Sequence, residues 1–247
     1  MYYFASDMHL GLDHRTPSLE REKIVVRWLD EVSADAKAIF LVGDVFDFWF
    51  EWKRVIPRGF SRLLGKFSEL TDRGVRIHIF TGNHDLWAYD YLREECGLVI
   101  HEKPEVFEAY GKKVFVAHGD NLYLRKKKPL LIKMMNGLFR SKFWHTLFIA
   151  LVHPNQALRF GHWWSERSRK SKRLSHCFGG EKEYLIQYAR EYGKCVDVDY
   201  FVFGHLHCAV DYDLGEGHRA IVLGEWIVSP TYAVLKPDGE IELKPYA

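Results

Sequence analysis

Phe80-Thr81-Gly82-Asn83-His84-Asp85-Leu86-Trp87 (FTGNHDLW) decides how this chain is read. It closes the apolar run Val75-Arg76-Ile77-His78-Ile79-Phe80, which has the character of a buried strand. Gly, Asn, His and Asp then stand in a row where that strand must end. In open α/β sheets, side chains at the carboxyl ends of parallel strands face the crevice where ligands bind. The stretch therefore predicts a strand over 75–80 and a ligand-facing turn at 82–85.

Working outward, the same arrangement recurs. Tyr2 to Ser6 reads as a strand running into Asp7-Met8-His9, and Ala38 to Val42 as one closed by Gly43-Asp44. Lys113 to Ala117 precedes His118-Gly119-Asp120, and Tyr200 to Phe203 precedes Gly204-His205-Leu206-His207. Between the first three strands, the spacing of Ile24, Val25, Trp28, Leu29 and Val32 predicts a helix over 18–32. A second is expected over 60–71, with Gly74 as its stop. A strand–helix–strand–helix–strand rhythm implies a mostly parallel core sheet, hence an α/β fold. The end of the chain is β-rich, with strands expected at 220–223, 232–235 and 240–243 and a turn at Lys236-Pro237-Asp238-Gly239.

One segment breaks the pattern. Residues 121–175 hold 13 Lys and Arg against a single acid, Glu166, a local charge of +12 in a chain whose net charge is only +2. The same segment carries Phe139, Phe143, Trp144, Phe148, Phe160, Trp163 and Trp164. We expect residues 1–120 and 176–247 to form one core, interrupted at 121–175 by a basic, aromatic-rich helical cap. The dense aromatic run Phe46, Phe48, Trp49, Phe50 and Trp52 is expected to be mostly core. The longest apolar run, 143–152, includes His145 and Thr146 and is far shorter than the roughly 20 residues of a membrane span. Met1 to Ala5 shows no basic n-region or cleavage site, and Cys96, Cys177, Cys195 and Cys208 have no CxxC spacing. A cytoplasmic chain is expected, one that can still rest on a membrane surface.

Five strand ends thus carry metal-ligating residue types. In a strand, residues i and i+2 face one way, so Asp7 with His9, and His205 with His207, are each expected to reach a site as a pair. Two Asp, one Asn and four His are too many for one tetrahedral ion. They suit two adjacent ions sharing a carboxylate, and mixed imidazole and carboxylate ligation favours Mn, Fe or Zn over Ca. Two such metals generate a nucleophile at neutral pH and neutralise phosphoryl oxygens, the chemistry of a phosphoester or anhydride hydrolase.

D-x-H, G-D-x-x-D, G-N-H-D, H-G and G-H-x-H, in this order over residues 7 to 207, resemble the calcineurin-like metallophosphoesterase superfamily. That resemblance implies a β-sandwich flanked by helices, with Asp7, His9, Asp44 and His207 on one metal. It implies Asp44, Asn83, His118 and His205 on the other, Asp44 bridging. It also implies that His84 contacts the phosphate and protonates the departing oxygen, while Asp47 orients His84. Within the superfamily, Ser6-Asp7-Met8-His9-Leu10-Gly11, Leu41 to Trp49, the basic segment after Asp120 and Leu223-Gly224-Glu225-Trp226-Ile227 resemble the UDP-2,3-diacylglucosamine pyrophosphatases of lipid A biosynthesis. Such enzymes release UMP and a diacylated sugar 1-phosphate, usually with Mn²⁺, at the cytoplasmic face of the inner membrane. Ser165, Arg169 and Lys172 match the spacing of that family's cap contacts, so they join Asn83, His84 and His205 as expected substrate-binding residues. The chain departs from the family's best-known members at His84, where those carry Arg.

The same residues bear on other classes of function. Another phosphoester or nucleotide substrate would use the same metals without needing an apolar, basic cap. Basic residues among aromatics also suit a single nucleic-acid strand, but the stretch 143–152 is too apolar for a groove that tracks phosphates. A scaffold that has lost its metals is disfavoured because all seven ligand positions are filled.

Overall fold

The computed structural model describes residues 1–122, 141–172 and 178–247, with the side chains of Lys142, His145, His162 and 166–172 outside that set. Among the described residues, β1 (Tyr2–Ala5), β2 (Ala38–Val42), β3 (Arg76–Phe80) and β4 (Val99–His101) lie parallel in one sheet. β10 (Thr231–Leu235) and β11 (Ile241–Pro245) extend that sheet antiparallel beyond β1, in the order β11-β10-β1-β2-β3-β4. The second sheet runs β5-β6-β7-β9-β8. Its centre, β6 (Lys112–Ala117), β7 (Tyr200–Phe203) and β9 (His218–Leu223), is parallel, and its edges, β5 (Glu105–Ala109) and β8 (Ala209–Gly215), are antiparallel.

Side-chain alternation sorts each strand between layers. Phe4, Phe40 and Phe80 meet Val116, Val202 and Ile221 between the two sheets. Their neighbours Ala5, Ile39, Leu41, Ile77 and Ile79 face outward into a second cluster under α1 (Ser18–Ser33) and α2 (Ser61–Asp72). The stripe Val25, Trp28, Leu29 and Val32 is buried there, as its spacing predicts. The short α3 (Tyr91–Glu94) precedes β4, and α6 (Tyr184–Gly193) covers the outer face of the second sheet through Leu185, Ile186 and Ala189. The result is two packed sheets with helices outside both, the mixed α/β sandwich expected. α4 (Lys142–Leu151) and α5 (Pro154–Lys172) lie in the chain between β6 and β7. Phe148, Ile149, Ala157 and Leu158 of this pair pack against Phe50 and Trp52.

Three strands carried no clear sequence signal. β5 and β8 are sheet edges with exposed or half-exposed residues throughout much of their length. Edge strands commonly carry charges, which blurs the apolar alternation in Glu105-Val106-Phe107-Glu108 and in Asp211-Tyr212-Asp213. β4 is only three residues long. Of the aromatic run, Phe46 and Trp49 are core, while Phe50 and Trp52 lie under α4 and α5.

Candidate metal centre

Parallel pairing places the carboxyl ends of β1, β2 and β3 side by side, and those of β6 and β7 likewise. The loops that follow are then laced together. Asp7 N donates to Gly43 O (3.1 Å), His9 N to Asp44 O (3.0 Å), and Gly204 N to His118 O (3.0 Å). Asp7 and His9 fall in one ligand group, whereas His205 and His207 fall in different ones, and neither placement comes from strand alternation. β1 and β7 have already ended, and these residues are in the left-handed region, with φ of 55° and 45° for the first pair and 69° and 56° for the second. Asp44 shares this conformation at 52°. Left-handed backbone costs a non-glycine residue roughly 1–2 kcal/mol, and such outliers persist only where surrounding contacts over-determine them.

The donor atoms converge in two groups, Asp7, His9 and His207 in one and Asp44, His118 and His205 in the other, linked by a third set, His9, Asp44 and His84, each with donor atoms within 4.8 Å of one another. His9 Nε2 lies 3.2 Å from His207 Nε2, and His118 Nε2 lies 3.3 Å from His205 Nδ1. Two donors about 2.0–2.1 Å from one tetrahedral ion stand roughly 3.3–3.4 Å apart, so this spacing suits a shared cation. Asp44 Oδ2 is 3.4 Å from His118 Nε2 and 3.9 Å from His9 Nε2, between the two groups.

Outer contacts leave the inner atoms available. Asp7 Oδ2 accepts from His205 N at 2.9 Å, while Asp7 Oδ1 is buried and makes no hydrogen bond. The buried Asn83 Oδ1 makes none either. His118 Nδ1–H donates to Val42 O at 2.9 Å, which leaves Nε2 as its ligand atom. Buried oxygens without hydrogen bonds, one of them, Asp7 Oδ1, 3.1 Å from His207 Nε2, and oriented imidazoles are donors that fit divalent metal ions. Asp7, His9 and Asp44 are buried, whereas Asn83, His205 and His207 are partly exposed and form the open side.

The electrostatics agree. Burial opposes charge on Asp7, but His207, His9 and His118 hold its carboxyl well below the usual carboxylate range. Burial likewise opposes charge on Asp44, and His118, His84 and His9 draw it down. The imidazoles move the other way. Burial would lower them, yet Asp47, Asp7 and Asp44 push His9 up to about 9, and Asp44 with Asp7 and Asp120 pushes His118 up to about 10. The carboxylates demand positive charge here, which divalent cations supply.

The glycines of the motifs are explained by space. A Cβ on Gly82 would stand 2.2 Å from Asp44 Oδ1, so any side chain there displaces the Asp44 carboxylate. Gly43 combines a φ of +82° with a Cβ position 2.4 Å from His118 Nδ1.

His84 lies beside the ligands, its Nε2 3.9 Å from Asp44 Oδ2. Burial pushes its imidazole down, against the opposing pull of Asp44. Its Nδ1 is 2.7 Å from the Asp47 carbonyl oxygen and 4.0 Å from the Asp47 carboxylate. The orienting contact expected of the Asp47 side chain is thus made by its main chain. The carboxylate instead reaches Ser165 Oγ at 2.9 Å and lies 3.5 Å from His9 Nδ1. Ser165 itself is buried against His84 and Asp47. Arg169 and Lys172 belong to α5, with side chains outside the described residues.

Two further residues support the site, Asp85 and Arg21. Asp85 is fully buried and accepts from Gly82 N (2.7 Å), Val45 N (2.8 Å) and Asp44 N (3.3 Å), tying the loop after β3 to the loop after β2. Burial and the nearby Asp44 push it up to about 7. Arg21 is fully buried too, and donates to Met8 O (2.8 Å), His9 O (2.8 Å), Leu12 O (2.5 Å) and Thr16 O (3.1 Å). It clamps the left-handed loop that carries Asp7 and His9. A signal for it existed: Arg21 continues the buried stripe of α1, four residues before Val25, so its charge had to be inside. A cavity of about 670 Å³ lined by Tyr2, Lys37, Phe40, Arg76 and Phe107 includes none of these site residues.

This two-group cluster at the ends of paired parallel strands is a phosphoesterase arrangement. The calcineurin-like phosphoesterase profile matches residues 2–209, and the chain belongs to that family. It is 40% identical over 245 residues to the UDP-2,3-diacylglucosamine hydrolase of Porphyromonas gingivalis (strain ATCC BAA-308 / W83), covering 94% of this chain and 92% of that protein. The enzyme of the same name from Aeromonas salmonicida (strain A449) is 27% identical over 251 residues, 98% of this chain and 91% of that one. Among solved structures, the chain is similar to the phosphoesterase Yfce from E. coli, with 14% identity, a TM-score of 0.46, and coverage of 98% and 97%. Among the described residues, no helix is long and apolar enough to cross a membrane.

Proposed function

We propose that this chain cleaves the pyrophosphate of UDP-2,3-diacylglucosamine to UMP and 2,3-diacylglucosamine 1-phosphate, a step of lipid A biosynthesis. The observation that carries the substrate is the likeness, 40% identical over 94% of the chain, to a hydrolase of that name. The ligand cluster supports the reaction class. Asp7, His9, Asp44 and His207 would hold one divalent ion, and Asp44, Asn83, His118 and His205 the other. We favour Mn²⁺, with Fe and Zn as alternatives. When bound, such a pair supplies Lewis acidity, neutralising phosphoryl oxygens and acidifying water.

The chain's own groups do the rest. His84 presents Nε2 to the phosphate, because its Nδ1–H is held by the Asp47 carbonyl. To act as the acid, His84 must be doubly protonated, which the Asp44 carboxylate favours against burial; it then gives the Nε2 proton to the departing oxygen and is left as the neutral Nδ1–H tautomer. Asn83 and His205, on the open side, contact the same phosphate. We assign residues 121–175 to a cap over the core formed by 1–120 and 176–247. Phe143, Trp144, Leu151, Phe160, Trp163 and Trp164 are exposed on α4 and α5, from 44% to 74%. With the 13 basic residues of that segment, they suit acyl chains and an anionic surface, the cytoplasmic face of the inner membrane. Arg169 and Lys172 are assigned to the pyrophosphate.

The test is turnover with Mn²⁺ on UDP-2,3-diacylglucosamine beside UDP-glucosamine and p-nitrophenyl phosphate. Strong preference for the acylated substrate with UMP release is expected. Activity on p-nitrophenyl phosphate alone would keep the metal chemistry and discard the lipid substrate.

A further inference from the structure

We propose that Ser165 is a positioning residue through which the cap helix α5 sets the orientation of His84, an inference resting on the phosphate-facing role given to His84 above. Ser165 is 1% exposed. Its Oγ donates to Asp47 Oδ1 at 2.9 Å and stands 3.0 Å from His84 Nδ1. His84 Nδ1 is also 2.7 Å from the Asp47 carbonyl, which can only accept. One proton arrangement satisfies all three contacts. The Ser165 hydroxyl proton sits on Asp47, and the His84 Nδ1–H is shared between the Asp47 carbonyl and Ser165 Oγ. That pins the ring with Nε2 turned toward Asp44 and the phosphate site.

The reach of Ser165 depends on how closely α5 lies against the core. Residues 157, 161 and 165 recur at four-residue intervals and share one helix face. They are Ala157, Gly161 and Ser165. A Cβ on Gly161 would meet the Phe48 ring at 2.5 Å, and Ala157 is buried against Phe50 and Trp52. Only small residues allow this approach, and the approach carries a hydroxyl to a histidine 81 positions away in sequence. Docking of α5 and orientation of His84 are thus one event.

Ser165→Ala is the test, on two substrates: UDP-2,3-diacylglucosamine, which engages the cap, and p-nitrophenyl phosphate, which has no acyl chain. Misorienting the acid should lower kcat about tenfold on both, with KM for the lipid within about twofold and Mn²⁺ affinity unchanged. Ser165→Thr, which keeps the hydroxyl, should recover most of the rate. In the metal-free protein, the His84 Nδ1–H resonance should exchange faster with water in Ser165→Ala. Combined with His84→Ala, the serine change should cost nothing more. A raised KM for the lipid alone, with p-nitrophenyl phosphate turnover intact, would overturn the inference and return Ser165 to the substrate contacts. A full rate on both substrates in Ser165→Ala, while His84→Ala is impaired, would overturn it as well. Were His84→Ala itself fully active, the role of His84 would fall first.

Discussion

The loops at the strand ends and the outward face of α4 and α5 are built on opposite terms. At the strand ends, Asp7 and His9 are completely buried, and Arg21 and Asp85 lock the neighbouring backbone at several points each. On α4 and α5, Leu151 is 74% exposed and Phe143 69%. Chemistry on a phosphate requires donor atoms set to within tenths of an ångström, and that is obtained by burial, left-handed turns and many hydrogen bonds. Holding a diacyl chain or a membrane requires apolar area and positive charge, which tolerate loose placement. Ser165 is where the two regimes meet, since it belongs to α5 and touches the pair His84–Asp47.

The sharpest way to break this comparison is Asp44→Ala, which removes the carboxylate proposed to bridge the two metals. It should abolish binding of the second equivalent of metal and lower turnover by on the order of a thousandfold, about 4 kcal/mol of barrier. Metal content and single-turnover rates measure both effects. Retained stoichiometry would mean that the two groups do not share Asp44.

Next comes Arg21→Met, which keeps the bulk of the side chain and deletes the clamp on the Asp7–His9 loop. Metal affinity should fall about 10–100-fold while the ligands themselves are intact. Mn²⁺ titration followed by electron paramagnetic resonance reads this directly. A drop in thermal stability with unchanged affinity would make Arg21 a support of the fold only.

A smaller effect is expected on the other side of the comparison. Phe160→Ser with Trp163→Ser should raise KM for the acylated substrate about tenfold, the equivalent of about 1.4 kcal/mol of apolar contact, and leave p-nitrophenyl phosphate turnover alone. Equal losses on both substrates would show that the outward face is coupled to the strand ends more tightly than its exposure suggests.

The smallest effect concerns the framework beneath both regions. His78 stacks on Phe40 between the sheets, and burial, His101 and Arg76 push its imidazole down to about 4. The unfolded chain, with an ordinary histidine near 6.5, binds the proton first. Stability from this group is therefore present above about pH 6.5 and is lost as the pH falls toward 4. Urea midpoints at pH 7, 5.5 and 4.5 should show a shallower acid decline in His78→Phe than in the wild type; identical slopes would remove His78 from the acid limit.

Much of this was legible before any coordinates. The strand ends were marked by residue type alone, because an apolar run that stops at Gly, Asp, Asn or His is a local signal. The apolar face of α1 was equally plain. β5 and β8 were not, because edge strands replace apolar alternation with charge. How Asp47 meets His84 was not legible, since no spacing distinguishes a carboxylate contact from a carbonyl contact of the same residue. Gly82 and Gly43 were visible as motif letters, but their reason, the approach of Asp44 and His118 to less than a side chain's width, is a fact of packing.

The sequence by itself determined the chemical inventory: seven side chains of metal-ligating types at five strand ends, a histidine beside them, and a basic, aromatic insertion. Only the tertiary structure decided which atoms of those side chains face inward. It set Asp7, His9, Asp44, His205 and His207 in left-handed backbone, left Asp7 Oδ1 and Asn83 Oδ1 buried without hydrogen bonds, and put Arg21 behind one loop and Ser165 behind His84. The reason is physical. Residue type and periodicity are local properties, readable along the chain. Donor direction, burial and close approach depend on neighbours as far apart as Asp47 and Ser165, 118 residues away, and these meet only when the chain is folded.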